Sequence, residues 1–520
     1  MQTLSLLVRQ RAADRSDGVF LSCDGTETTF AALHNGVQHM AGALAAANIT
    51  PDCRVGLMLG QSLTHIELFM ACAWIGATVV PFSVHFQSAG LELQLTSCRP
   101  EIFVADRVHA DVLRRVVETL ATPPLIVWVE SEGDLRTGET TLTSLRANAT
   151  PVNEPVNRSL TDTLAIIYTS GTTGAPKGGV MSEGFFQLGA KSAGLLSDVQ
   201  PDDVYFLWEP FYHASAWMMV LMALQHGAKL HMVKGFSASR LWDQIREARA
   251  TKFHYLGGLI NIILAQPERP NDRDNPVTIA WGAACPADSW RLFEERFGVS
   301  IREGYGLTEA QNFTHINRDG IVGSIGKPIE EIECWLVDDA GTRVGPGVTG
   351  EIVVAARSPA VGMTGYWDDP AKTAEVLHPD GTIHTGDLAM MDADGNYYFK
   401  GRKKDSLRRR GENISAWEVE RVINSAPGVE ESAVVGVRSD MGEQEVFAAI
   451  KLRDGAAEDP AAIIAHCADR LAYYQVPRFL SFVDDFPRGP TQRIRKADIP
   501  TDIASAWDTD KLGITPRRKH

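Results

Sequence analysis

Residues 166–179 read IIYTSGTTGAPKGG, which puts four hydroxyls, two glycines and a lysine within ten residues behind a β-rich run. Gly171 and Gly174 let the backbone turn its N–H groups inward, while Thr169, Ser170, Thr172 and Thr173 add hydroxyl donors. Lys177 supplies a point charge, so the string suits phosphate oxygens. It does not fit the Walker pattern, because no Gly-Lys-Ser/Thr follows at the required spacing. Downstream stand GYGLTE (304–309), with Glu309, and HTGDLA (384–389), with Asp387. LWEPFYHASAW (207–217) gathers Trp208, Phe211, Tyr212 and Trp217 around His213. Two basic strips complete the inventory. GRKKDSLRRRGENIS (401–415) has six cations in the eleven residues up to Gly411, and FPRGPTQRIRK (486–496) has Arg488, Arg493, Arg495 and Lys496.

The elements that must hold these residues are legible as pattern. Through residue 160, helical stretches such as HIELFMACAWIGA alternate with short apolar runs such as RVGLML, TVVPF, EIFVAD and PLIVWV. The alternation resumes with LAIIYTS, KLHMV, KFHYLG and TIAWGAA, which is the mark of parallel sheets covered by helices. Around 320–400 short strands separated by Gly and Asp turns predict an antiparallel, barrel-like subdomain. After the charged stretch at 401–415 a compact α+β segment follows. The expected fold class is therefore α/β: a body of two helix-covered, mostly parallel sheets plus the barrel-like part over 1–400, then a small α+β lobe over 401–520.

The chain has 520 residues, is 44% hydrophobic and 22% charged, and carries a formal net charge of −15. The acidic balance argues against nucleic acid or an anionic membrane as main partner, since both need a dominant basic field. Seven scattered cysteines, with no Cys-x-x-Cys, fit neither a disulfide framework nor a zinc site. The start, MQTLSLLVRQRAADRSDG, lacks the apolar stretch of a secretory signal. The apolar run from Leu68 to Phe82 is too short to span a bilayer. A cytoplasmic protein is expected.

YTSGTTGAPKG resembles the phosphate loop of the adenylate-forming superfamily, which includes acyl-CoA synthetases, luciferases and peptide-synthetase adenylation domains. GYGLTE, HTGDLA and GRKKD resemble further motifs of that superfamily, in the same order. The resemblance implies activation of a carboxylic acid by ATP to an acyl-AMP, then displacement of AMP by a thiol, usually coenzyme A. It implies that Thr308 bonds the α-phosphate, Tyr305 stacks on adenine beside Gly306, and Glu309 holds Mg²⁺. Gly282, Ala283 and Ala284 would seat the purine, Asp387 and Arg402 would hold the ribose, and Phe399 would belong to the AMP/ATP-binding site. His213 would stand near the reacting carboxylate, with Trp208, Phe211, Tyr212, Trp217, Leu256, Gly257 and Gly258 lining a bulky, mainly apolar acyl pocket. Lys404 would be the hinge of a mobile C-terminal lobe, and Gly411, Glu412 and Asn413 would face the pantetheine arm of coenzyme A. A homodimer is common in such ligases.

The chain departs from the resemblance in one important place. The superfamily carries a loop like Pro-Arg-Thr-x-x-Gly-Lys-Ile-x-Lys, whose first lysine bridges substrate carboxylate and α-phosphate. Here Pro487, Arg488, Thr491, Ile494 and Lys496 keep the pattern, but Gln492 replaces the glycine and Arg493 the lysine. Guanidinium is planar and bonds as a fork, where ammonium is a compact point charge. Gly179 and Glu183 are smaller departures, standing where relatives often have a β-branched residue and a histidine. The expectation is a ligase that passes the acyl group of an acyl-adenylate to coenzyme A but makes little adenylate itself, a separate adenylating enzyme supplying it. A complete ATP-dependent synthetase, using Arg493 or a slipped Lys496, is the first alternative. A nucleotide- or acyl-binding protein without turnover is the second.

Overall fold

The computed structural model describes every residue except 87, 148, 170–176, 258, 311–312, 359–361, 404–405, 410–411, 439–443, 472–473, 489–493 and 512–520. The fold is mixed α/β, with two large sheets in the body. The first has nine strands, of which six neighbours run parallel: Ser300–Tyr305, Ile279–Ala283, Lys252–Leu256, Val204–Leu207, Lys229–Met232 and Val19–Cys23. The second has eight, with Thr163–Thr169, Thr78–Pro81, Arg54–Met58, Ile102–Ala105, Leu125–Trp128 and Glu139–Thr141 parallel. Strands buried on both faces read as continuous apolar runs, which is why eight of these twelve segments were visible in the sequence, while Val19–Cys23, Val204–Leu207, Glu139–Thr141 and Ser300–Tyr305 were not.

One core joins residues of both sheets with helices Phe30–Ala46, Leu63–Ile75, Glu183–Ser197 and Ala214–His226. Leu63–Ile75 is predominantly apolar and buried from His65 onward, as a helix enclosed by protein must be, with Glu67 paired to Arg146. Ser62 caps its start by accepting the His65 N–H, and Gly76 ends it at φ 87°, a left-handed conformation that glycine adopts freely. The apolar run Leu68–Phe82 is thus the rest of this helix turning into strand Thr78–Pro81. No helix among the described residues is long and apolar enough to cross a membrane.

The Gly- and Asp-punctuated stretch forms a five-stranded sheet of Arg343–Val344, Ile332–Val337, Thr349–Ala356, Thr382–Met391 and Tyr397–Arg402. Beyond it, strands Val429–Arg438, Gln444–Leu452, Phe479–Phe482 and Trp507–Asp508 form a separate sheet with helices Ala416–Asn424 and Pro460–Arg470. By backbone contacts the chain divides into two compact units, one of 1–169, 176–334 and 354–383, the other of 170–175, 335–353 and 384–520.

The charged stretch 401–415 is more than a connector. Ser406–Arg409 pairs antiparallel with Glu412–Ser415. Leu407 and Ile414 are buried between the cations, and Arg409 is buried with them, donating to the carbonyls of Tyr474 and Val476. Six cations within nine residues conceal that two apolar side chains and one arginine point inward.

Candidate active site

Strands Thr163–Thr169 and Lys177–Ser182 are antiparallel, and Thr169 pairs with Lys177. Residues 170–176, which include Ser170, Gly171, Thr172, Thr173 and Gly174, lie between them and outside the described residues. The phosphate-loop candidate therefore joins two strands, whereas a Walker loop runs from strand into helix. The incoming strand is fixed by the Tyr168 hydroxyl, which donates to Ser97 Oγ at 2.7 Å.

A third strand, Met363–Tyr366, lies antiparallel on Lys177–Ser182 and brings Tyr366 to the site. Lys177 Nζ sits 5.0 Å from the centre of the Tyr366 ring, and the Tyr366 hydroxyl donates to Glu309 Oε1 at 2.9 Å. Lysine, phenol and carboxylate thus form one chain. Burial first, then the Glu309 charge, push the Tyr366 phenol above its ordinary value, so it stays protonated and donates. A cleft of about 240 Å³ opens beside it, where Arg99, Lys177 and Lys372 face Asp368 and Asp369. No cluster of three or more His, Cys, Asp or Glu able to hold a metal exists among the described residues. Magnesium arriving with a triphosphate needs only one or two carboxylates, which Glu309 can supply. Thr308 and Glu309 lie on the single helical turn Thr308–Ala310, directly after Gly306 and Leu307.

The purine candidates occupy the end of strand Ile279–Ala283. Gly282 is buried, and a Cβ there would come within 1.9 Å of the Tyr255 carbonyl oxygen, so the sheet itself requires glycine. Ala284 is exposed and holds φ 65°, unusual for a residue with a Cβ. Tyr305 is almost buried, its ring edge-on to His315.

The acyl-pocket candidates divide. Phe211 and Trp217 are fully buried core, with Trp217 stacked on Phe69 and Phe211 against Trp217, its indole N–H bonded to the Phe211 carbonyl. Trp208 and Tyr212 are only partly buried and Leu256 is exposed. Trp208 donates its indole N–H to the His254 carbonyl at 2.9 Å, and Gly257 donates to the Ala283 carbonyl at 2.8 Å. His213 stands at the start of helix Ala214–His226, its ring 4.5 Å from Tyr212. Gly258 lies outside the described residues.

In the second unit, Asp387 and Arg402 are cross-strand partners, with Arg402 Nε 3.1 Å from Asp387 Oδ1. Thr385, Gly386, Arg402 and Lys403 line a hollow of about 370 Å³. Phe399, on the same strand as Arg402, packs edge-on to Trp417. Lys404, Gly411 and Arg493 lie outside the described residues; Glu412 and Asn413 belong to strand Glu412–Ser415. The base of the 486–496 segment is visible: Arg488 and Ile494 form an isolated bridge, and the Arg495 N–H donates to the Pro487 carbonyl. Its flanking cations are engaged. Arg488 pairs with Glu431, Arg495 with Asp498 at 2.7 Å, and Lys496 with Glu420 at 2.7 Å.

Two residues that sequence reading did not assign a job have one here. Glu183 is buried against Arg158 at 3.1 Å and accepts the Leu4 N–H, tying the N-terminal helix Leu4–Asp14 to the body. Glu303, just before GYGLTE, is a buried carboxylate beneath the purine candidates. A charge on an otherwise buried strand was the available signal.

Comparison with known proteins gives the same reading along nearly the whole chain. The family described as AMP-binding enzyme matches residues 8–367, and the AMP-binding enzyme C-terminal domain matches 418–493. A feruloyl-CoA synthase from Amycolatopsis sp is 31% identical, covering 91% of this chain and 94% of the relative. A crotonobetaine/carnitine–CoA ligase from Salmonella heidelberg (strain SL476) is 27% identical, covering 94% and 96%. Among solved structures, ATP-bound MatB from Rhodopseudomonas palustris superposes with a TM-score of 0.85 at 26% identity, covering 95% of this chain and 98% of that one.

Proposed function

The chain belongs to the AMP-binding enzyme family, in its acyl-CoA ligase branch, and we propose that it forms acyl-CoA thioesters from acyl-adenylates while making little adenylate itself. In the full reaction a carboxylate oxygen attacks the α-phosphorus of ATP and pyrophosphate leaves. The thiol sulfur of coenzyme A then attacks the acyl carbon, AMP leaves, and the thiol proton is lost to solvent or base. The observation that carries the restriction is Arg493 with Gln492 in place of the expected lysine and glycine. A donor misplaced by about an ångström can cost on the order of a hundredfold in rate, and losing one aimed at transition-state charge costs about 3–4 kcal/mol. Thioester formation does not call on that donor.

In this reading Lys177 and the 170–176 loop hold phosphate, Thr308 bonds the α-phosphate, and Glu309, steadied by Tyr366, takes the Mg²⁺ that ATP brings. The 282–284 turn and Tyr305 hold adenine, and Asp387 and Arg402 the ribose. His213 serves the reacting carboxylate. The lobe of 401–520 turns about Lys404, bringing Gly411, Glu412 and Asn413 to coenzyme A. Half-buried Trp208 and Tyr212, with Leu256 and Gly257, suit a bulky and mainly apolar acid. A separate adenylating enzyme supplies the acyl-AMP, and the ligase is a homodimer.

The complete two-step synthetase is the second reading. It is favoured by the synthase and ligase names of relatives that span more than nine-tenths of the chain. ATP–pyrophosphate exchange with a panel of bulky acids, run beside synthetic acyl-AMP plus coenzyme A, separates the two. Background exchange with rapid thioester and AMP formation supports the restriction. Brisk exchange leaves the complete synthetase, and binding without thioester in either assay removes catalysis altogether.

A further inference from the structure

Three neighbouring strands place Tyr255, Gly282 and Glu303 in one row across the nine-stranded sheet. Residues in such a row point to the same face, and the middle one has no side chain. The Tyr255 hydroxyl and the Glu303 carboxylate meet across that gap, the hydroxyl donating to Glu303 Oε2. The same carboxylate reaches past the end of strand Ile279–Ala283. Its Oε1 accepts the Ala284 N–H, and its Oε2 accepts the Cys285 N–H at 3.1 Å. Both amides of the turn are therefore aimed inward at one side chain, while Ala284 itself faces out in a left-handed conformation. Such a conformation is strained where a Cβ is present and persists only when its surroundings impose it. Glu303 is what imposes it. A buried carboxylate facing backbone amides and one phenol, with no cation among its partners in the described residues, is an expensive way to fold a turn unless the turn's shape matters.

We infer that Glu303 is a positioning residue for the nucleotide: its buried carboxyl is the template on which the Gly282–Cys285 turn is shaped to receive the purine. This rests on the reading of that turn as the purine seat. Burial pushes the Glu303 carboxyl up to about 8. The ionisable groups around it are Tyr255, Cys285 and, through both of these, Glu294; the Tyr255 phenol and Cys285 thiol are themselves pushed up by burial, so they stay neutral. The ionised carboxyl holds amide donors more strongly than the neutral acid. AMP affinity therefore rises from pH 7 to pH 9, a range in which the AMP phosphate does not titrate.

The test is calorimetric titration of AMP into the full-length protein and into Glu303→Gln, with coenzyme A binding and melting temperature measured in parallel. The amide keeps the shape but loses one acceptor edge and the charge. The expected result is AMP affinity lowered about tenfold, its rise between pH 7 and pH 9 abolished, and coenzyme A affinity unchanged. Wild-type affinity and pH profile in the variant overturn the inference. So does a parallel loss of AMP affinity, coenzyme A affinity and melting temperature, which assigns Glu303 to structure alone. A wild-type protein that does not bind AMP overturns the purine-seat reading and the inference with it. Should Glu303→Gln not fold, Tyr255→Phe is read instead: weaker AMP binding with the pH rise intact supports the template, and unchanged binding overturns it.

Discussion

Glu183 shows how much depends on a partner that sequence spacing does not reveal. It stood out as a departure from the resemblance, yet Arg158 lies 25 positions away in a stretch without pattern. Both side chains are at most 5% exposed and 3.1 Å apart. Removing one member strands the other charge, so Glu183→Ala should cost about 3–5 kcal/mol in denaturant unfolding. Glu183→Gln, which can still accept the Leu4 N–H, should cost less. Glu303 gives a second prediction, on pH. Its folded-state value lies above the ordinary carboxyl range, so the folded protein holds a proton that the unfolded chain releases. Its contribution is fully present below about pH 4.5 and is lost as pH rises through about 8. The melting-temperature advantage of wild type over Glu303→Gln should shrink steadily from pH 5 to pH 8 and then level off. His65 works in the opposite direction: burial lowers it to about 4, so its contribution is lost as pH falls from 6.5 towards 4.

Elements were more legible than residues, because apolar runs and glycine punctuation are local. Helix Leu63–Ile75 and most of the parallel strands follow from burial alone, and the segment after 415 is α+β as its pattern indicated, although strands Phe479–Phe482 and Trp507–Asp508 were not read in advance. The stretch 401–415 misled because its surface charges outnumber its two buried apolar side chains. The aromatic segment 207–217 could not be divided by composition: Phe211 and Trp217 went to the core, and only Trp208 and Tyr212 stay partly open. Strand Met363–Tyr366 was invisible as a site element, since nothing in its sequence shows that it would lie beside Lys177–Ser182. That placement carries a prediction. Tyr366→Phe leaves an aromatic ring under Lys177 but frees Glu309 from its only strand-borne tether among the described residues. Partners that orient a metal ligand are typically worth about 10–100-fold in metal affinity. The Mg²⁺ concentration giving half-maximal ATP binding should rise by about tenfold in the variant, with binding of free AMP unaffected. An unchanged Mg²⁺ requirement would remove Tyr366 from the site.

At the scale of the molecule, the question is whether a chain with the whole family architecture performs both half-reactions. Among the candidates for holding AMP, ribose and magnesium, Lys177, Gly282, Tyr305, Glu309, Asp387 and Arg402 fall on described strands and turns, whereas residues 170–174 and Arg493, where the proposed reading puts the bridging position, lie outside the described residues. The slipped alternative is weakened by geometry within the second unit. Lys496 is paired with Glu420 at 2.7 Å, and Glu420 also accepts the Val434 N–H, so the lysine is tied into the lobe's own packing. Lys496→Gln should then act on stability, by about 1 kcal/mol for a partly exposed pair, and leave ATP–pyrophosphate exchange at its starting level. Arg493→Lys with Gln492→Gly should do the reverse. It returns a slim ammonium and a loop able to bend tightly, so exchange should rise by on the order of a hundredfold, while thioester formation from supplied acyl-AMP keeps its rate. Each variant is measured in both half-reactions, with the melting temperature recorded. If exchange falls with Lys496→Gln in a fully folded protein, that lysine is the bridging donor despite its pairing, and the chain is a two-step synthetase. If neither variant moves exchange, the loop is not what limits adenylation.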